Sequence, residues 1–222
     1  MGFYPLGLGC NHRRMTPLMI EPVVRIRIEL EGSDPLVWRS VDVPLSSTLT
    51  ALHDIIQATM LWQDAHLFEF VVGEHVYGEP FPEDGVLDRK VSQAKNTRLK
   101  SLIDRGVDRF VYVYDFGDNW RHHIIIEAVR QGDDKTDYPA FVGGARRAPP
   151  EDVGGISGFE EFLQAVTDPR HVDHDRMLEG CGGSFDPEDI DERHILMIIG
   201  NFAARRRGPL MSHRSSGRSK EQ

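Results

Sequence analysis

The chain has 222 residues, 40% of them hydrophobic and 27% charged, enough to bury the core of one domain with peripheral additions. Two cysteines, Cys10 and Cys181, exclude a disulfide framework and a four-thiolate zinc site, and no apolar run reaches the roughly 18–20 residues of a membrane-spanning helix, so a cytoplasmic protein with no membrane partner is expected. The formal net charge of −9 is uneven: residues 205–222 hold six basic residues against one acidic, leaving −14 on the remainder, which disfavours a broad nucleic-acid footprint outside that tail.

In chain order, residues 1–22 read as a disordered or loosely attached leader. Residues 23–204 read as a single α+β domain, and 205–222 as a basic flexible tail through which nucleic acid could be held. "VVRIRIEL" (23–30) places Val24, Ile26, Ile28 and Leu30 on one face and Arg25, Arg27 and Glu29 on the other, the period of a half-buried strand. After the turn residues "EGSDP", "VWRSVDV" continues the alternation, giving an antiparallel pair over 23–43. "SSTLTALHDIIQATM" follows a Ser/Thr cap signal with Leu49, Leu52, Ile56 and Met60 at roughly helical spacing.

"HLFEFVV" and "HVYGEP" are expected strands joined at Gly73 and Glu74, and "RLKSLID" a short helix. "RFVYVY" and "WRHHIIIEAV" form the clearest hairpin, with "DFGDN" as its turn. There Asp115 and Asn119 favour turn geometry, and Gly117 is expected to supply a positive φ. The order β-β-α-β-β implies a two-layer sandwich, with a β-grasp-like antiparallel or mixed sheet, helices on one face and a C-terminal helical extension. Residues 131–158, rich in Gly, Pro, Asp and Arg, are expected to supply no regular core element. "FEEFLQAVTD" is helical through Phe159, Phe162, Leu163 and Val166. The last helix is expected to open with Asp186 as cap and Pro187 at its first position, and to bury Ile195, Ile198, Ile199 and Phe202.

The chemistry-bearing residues concentrate in two places. Trp120 and His122 share a strand face beside Asp118, and a metal could use Asp118 and His122 with a carboxylate from elsewhere, Glu151 or Asp152. In "PPEDVGG", two prolines present Glu151 and Asp152 ahead of flexible glycines. "HVDHD" at 171–175 reads as a solvated loop. The "DFG" triplet lacks every other kinase element, and neither a nucleophile elbow nor a phosphate loop is present.

Taken together, "VWRSVDVP", "TLTALHDIIQATMLW", "YDFGDNWRHHI", "APPEDVGGISGFEEFL" and "FDPEDID" resemble, in order and over about 24–202, the plasmid pRiA4b ORF-3-like family. The resemblance implies a two-layer α+β fold and an association with plasmids, insertion sequences and transposition, but no assigned reaction. It also implies cysteines where this chain has Ala148 and Val153, which argues against a thiolate role. The expectation is therefore a non-enzymatic accessory or binding module for a protein or small-molecule partner. Its ligand surface would combine Tyr114, Asp115, Asp118, Trp120, His122, Glu151, Asp152 and Asp186, with no cofactor except a possible divalent cation. The alternative is a metal-dependent hydrolase or nuclease using the acidic cluster.

Overall fold

The computed structural model describes residues 20–81, 84 and 89–207. The expected leader up to residue 19, and the tail from residue 208, lie outside the described residues. Among those described, eight strands form one mixed sheet: β1 (Pro22–Leu30), β2 (Trp38–Pro44), β3 (Phe68–Val72), β4 (His75–Gly78), β5 (Val91–Gln93), β6 (Arg109–Tyr114), β7 (Trp120–Gln131) and β8 (Ala140–Ala145). Their order is β5-β4-β3-β6-β7-β1-β2-β8. Every pair is antiparallel except β4–β5 at one edge.

The alternation in β1 works as expected: Val24, Ile26, Ile28 and Leu30 are all fully buried. Each such side chain removed from water contributes roughly 1.5–3 kcal/mol. The register sets Ile26 opposite Val41 and Val24 opposite Val43, and in β7 sets Ile28 opposite Ile124, so three strands share one apolar face. Against it packs α1 (Leu49–Met60). Thr48 caps this helix by accepting the Ala51 N–H, and Leu61 ends it in a left-handed conformation with its N–H on the Gln57 carbonyl. Leu49, Leu52 and Ile56 point into the core. The opposite sheet face is polar: Arg25 forks onto Asp42 at 2.9 Å, and the Arg27 guanidinium lies 4.0 Å over the Trp38 ring.

A short helix, α2 (Leu99–Ile103), and three later ones, α3 (Gly155–Thr167), α4 (His174–Gly180) and α5 (Glu192–Arg207), contribute further helical residues to the apolar layer. Phe159, Phe162 and Val166 of α3, and Ile195 and Ile199 of α5, join the core. The last helix starts later than expected. Asp191 takes φ +53 and breaks the run begun at Pro187; it then caps α5 itself, its carbonyl 3.2 Å from the Ile195 nitrogen. Residues 131–158 also depart from expectation, since Ala140–Ala145 pairs with β2 as an edge strand. "HVDHD", expected as loop throughout, runs into α4 from His174. Among the described residues no helix is long and apolar enough to cross a membrane.

Candidate functional site

At one end of the sheet the β6–β7 turn meets the segment after α1 and the loop before α3. Asp115 starts the turn at φ +54 and Asn119 ends it at φ +55. The positive φ expected of Gly117 therefore falls on its neighbours, which Asp and Asn tolerate better than most residues because their short polar groups bond locally. Asp115 Oδ1 accepts the Gly117 N–H at 2.9 Å, while Asn119 N–H closes on the Asp115 carbonyl at 2.6 Å. The turn is then fastened to the loop. Asp118 Oδ2 accepts the Gly154 N–H at 3.1 Å, and Gly155, at φ +68, lies so close that a Cβ there would sit 2.6 Å from the Asp118 carbonyl oxygen.

Tyr114 ties all three segments. Its hydroxyl donates to Glu151 Oε1 at 2.6 Å and accepts the Ala65 N–H at 2.9 Å. Glu151 Oε2 in turn accepts the Gln63 N–H at 2.9 Å, and the Pro149 carbonyl accepts the Trp62 indole N–H at 2.8 Å. Burial, and then the neighbouring Glu151 carboxylate, push the Tyr114 hydroxyl well above its ordinary pKa, so it stays a neutral donor.

A buried polar relay holds the segment after α1. Asp64 Oδ1 lies 2.8 Å from His53 Nε2 and can only accept, so Nε2 carries the proton. Nδ1 must then accept from the Tyr112 hydroxyl 2.7 Å away, which itself accepts from Gln57 Nε2 at 3.0 Å. Gln57 Oε1 closes the circuit by accepting the Asp64 N–H at 3.1 Å. Burial lowers the His53 pKa, although Asp64 opposes the shift; the neutral tautomer of the relay is the form favoured. Phe68 stacks on the imidazole at 3.7 Å between ring centroids.

These segments surround a cleft of about 710 Å³ whose lining includes His53, Asp54, Asp64, His66, Glu79 and Asp115. No lysine or arginine is among its lining residues. Burial and then the nearby Asp64 charge raise the Asp54 pKa, a sign of like charges crowding one space. Two sets of ligand-type atoms here lie within 4.8 Å of one another: His53, Asp54 and Asp64, and His66, Asp115 and Asp152. In the second set His66 Nε2 stands 3.7 Å from Asp115 Oδ2 and 3.0 Å from Asp152 Oδ1. It is occluded, yet aligned with neither as a hydrogen bond. Mixed imidazole and carboxylate donors suit zinc or manganese.

The expected site residues thus separate. Tyr114, Asp115, Asp118, Glu151 and Asp152 come together. Trp120 and His122 do not join them at the surface: both are fully buried, because parity places them on the face shared with Ile124, which is the core face. His122 sits against Trp62 and Tyr112, and burial holds its pKa at about 3, so it is neutral. Asp186 is exposed, and its carboxylate accepts the Glu188 N–H within its own turn. Of the four named metal candidates, only Asp152 belongs to a ligand-type cluster; Asp118 and Glu151 bind backbone and hydroxyl groups instead. Unforeseen were His53, Asp54, Asp64 and His66. The short polar break "QDAH" between a helix and a strand was their one local signal. In the basic tail, Arg206 is already held by Glu21 and Ser46.

Comparison with known proteins places this geometry in a wider set. An uncharacterised protein, y4hQ, of Sinorhizobium fredii (strain NBRC 101917 / NGR234) is 39% identical over 188 residues, covering 84% of this chain and 95% of that one. The crystal structure of a protein of unknown function, MM3350, from Methanosarcina mazei Go1 is similar with a TM-score of 0.72 and 31% identity, across 79% of this chain and 97% of the other. The model of the plasmid pRiA4b ORF-3-like proteins matches residues 22–194, and the chain belongs to that family.

Proposed function

We propose that this plasmid-associated protein is an accessory binding module whose recognition site is the acidic cleft beside the β6–β7 turn, and that its occupant is cationic, a divalent metal foremost. The observation that carries this reading is the His66, Asp115 and Asp152 constellation. Three donors of metal-binding type converge within 4.8 Å, and the occluded His66 Nε2 makes no hydrogen bond. An imidazole nitrogen held between two carboxylates can either be protonated or share a cation with them; with a cation it satisfies all three groups at once. The plasmid in the family's name supports the plasmid association, and a part in mobile elements and transposition is proposed with it.

Titration calorimetry of the full chain with manganese and with zinc tests the reading. Saturable binding is expected at submillimolar concentration, together with broadening or displacement of the His66 ring resonances. Binding should weaken at least tenfold in His66→Ala and in Asp115→Asn. Absence of heat up to millimolar metal, or binding that persists in both variants, refutes it. The same constellation supports a second reading, a metal-dependent phosphodiesterase, because carboxylate-bound cations activate water and polarise phosphoryl oxygens. That reading requires metal-stimulated cleavage of a single-stranded oligonucleotide, lost in Asp115→Asn; inert substrate in the presence of bound metal leaves the binding module.

A further inference from the structure

A second cavity of about 470 Å³ adjoins the cleft, with Ala65 lining both. Arg39, Trp62, Arg147, Pro149 and Phe185 are among its lining residues. Arg39 is only 1% exposed and yet has no carboxylate partner among the described residues. Its Nε donates to the Thr59 carbonyl at 2.8 Å. Its Nη1 donates to the carbonyls of Trp38, Ala145 and Arg146 at 2.8, 3.1 and 2.9 Å. All four acceptors are neutral, and among the described residues Nη2 has no hydrogen-bond partner. Burial lowers the guanidinium pKa to about 10, so the group remains a cation at neutral pH. The negative end of α1, where Thr59 lies, offsets part of this charge. Carbonyl dipoles solvate a buried cation but do not neutralise it.

Arg147 lines the same cavity with its guanidinium 5.2 Å over the Phe185 ring, and it too lacks an acidic partner among the described residues, whereas the adjacent Arg146 is paired with Glu188. Glu151 and Asp152 also border the space. Their oxygens are engaged elsewhere: those of Glu151 by Tyr114 and Gln63, and Asp152 Oδ1 beside His66. The cavity therefore holds two guanidinium groups that form no ion pair among the described residues, one of them buried, beside the apolar walls of Trp62 and Phe185, with the Glu151 and Asp152 carboxylates at its border turned to other partners.

We propose that this cavity is an oxyanion site, in which Arg39 at the floor and Arg147 on the wall hold the carboxylate or phosphate group of a small ligand. The Arg147 guanidinium fork matches the spacing of two oxyanion oxygens, and the Arg39 Nη2, the one nitrogen of that group not engaged by a carbonyl, can add a further bond; such charge-assisted bonds are about twice as strong as neutral ones. The aromatic walls fit a flat or apolar body attached to that group. Asp152 borders this cavity and belongs to the metal constellation, but neither guanidinium does, and neither His66 nor Asp115 lines this cavity, so Arg147→Gln tests this site and His66→Ala the metal reading separately.

The test is a titration of the full chain with benzoate and, separately, with inorganic phosphate, followed by ¹H–¹⁵N spectra. The Trp62 indole N–H, which points at Pro149 on the cavity rim, should shift saturably below tens of millimolar. The Trp38 indole, beneath Arg27 on the other sheet face, should not. Saturation by benzoate alone identifies a carboxylate with an apolar body; saturation by phosphate alone identifies a phosphate group. In Arg147→Gln, affinity should fall about tenfold, equivalent to about 1.4 kcal/mol. Arg39→Lys, if folded, should bind more weakly as well, since it keeps the charge and loses the free Nη2 donor. A Trp62 resonance that ignores both probes, that moves equally with sodium chloride at matched ionic strength, or that titrates unchanged in Arg147→Gln overturns the proposal.

Discussion

Replacing His122 by leucine should remove a large part of the protein's acid sensitivity while leaving its neutral-pH stability nearly intact. The imidazole is fully buried and neither ring nitrogen makes a hydrogen bond. The carbonyls of Trp120 and Tyr112 lie near enough to favour a proton, but burial outweighs them and holds the pKa at about 3. In the unfolded chain the same group titrates near 6.5. As pH falls below that value the unfolded state gains a proton that the folded state refuses, so stability decreases with falling pH until the folded pKa is reached. At about pH 5 the gap is roughly 1.5 pH units, and at 1.36 kcal/mol per unit it removes about 2 kcal/mol. Leucine has nearly the volume of histidine and nothing to protonate. It forfeits the ring contacts with Trp62 and Tyr112, 5.4 and 5.6 Å between centroids, at about 0.5–1.5 kcal/mol each. It also relieves a buried polar group of comparable cost. Urea unfolding of both proteins, at about pH 7.5 and about pH 5 and at low concentration because the calculated pI is 5.5, measures the difference. The wild type should lose about 2 kcal/mol more than the variant between the two conditions. His53, which also resists protonation, contributes equally to both. An identical loss in both proteins would show that His122 is neither desolvated nor neutral as described.

Three other substitutions probe the convergence of segments. Tyr114→Phe leaves Glu151 Oε1 and the Ala65 N–H without their shared partner, and chemical denaturation should show a loss of about 1–3 kcal/mol; no loss would mean that the hydroxyl does not join the loops. Gly155→Ala forces a Cβ to 2.6 Å from the Asp118 carbonyl at a positive φ. It should lower the melting temperature by several degrees and shift the amide resonances of the β6–β7 turn, whereas an unperturbed turn would contradict the close packing. Asp152→Asn preserves the turn at a site whose side chain is 74% exposed. Stability should change by no more than about 0.5 kcal/mol, while manganese affinity should drop at least tenfold; equal affinity would remove Asp152 from the metal constellation.

How much of this was legible depended on whether the signal was local. The period-2 alternation of β1 and of the first half of β7, and the cap and spacing of α1, report burial residue by residue, and the core follows from them; in β2 the valines are buried as expected, but Arg39, Ser40 and Asp42 are buried as well. β8 was invisible for an identifiable reason. Its Gly143 and Gly144 suggest a flexible loop by composition, but a Cβ on Gly144 would meet the Trp38 carbonyl and Arg39 Cδ, each at 2.7 Å. The glycine is there so that the Arg39 side chain can cross the strand to the Ala145 and Arg146 carbonyls, a requirement set by a residue more than a hundred positions away. His122 was legible and misjudged. Its parity with Trp120 and Ile124 already assigned it to the apolar face, and polarity drew it into the site instead. His66 carried only the polar break "QDAH", which says nothing of its partners, since Asp115 and Asp152 are brought to it by the sheet and by the Tyr114–Glu151 bond.

Turn chemistry and site chemistry are often set against each other, and here the same residues serve both. Asp64, Asp115 and Asp152 each occupy the left-handed region, at φ +58, +54 and +58. Aspartate is tolerated there, but asparagine and glycine are suited to it at least as well and carry no charge. If these positions answered only to backbone geometry, nothing would favour negative charge at all three, two of them lining the cleft and Asp152 beside His66 at its border. Asp54 beside Asp64 adds a further acid to the same cleft, its pKa raised first by burial and then by the Asp64 charge. The backbone around them is fastened by the Asp118–Gly154, Tyr114–Glu151 and Trp62–Pro149 bonds, so the charges cannot relax apart without breaking the loops. On the proposed reading, a fold that holds like charges together loses stability as a bare protein and would recover it on cation binding, because the ordering is already done before binding. Rigidity and repulsion together, rather than the count of acids, support the proposed cation site.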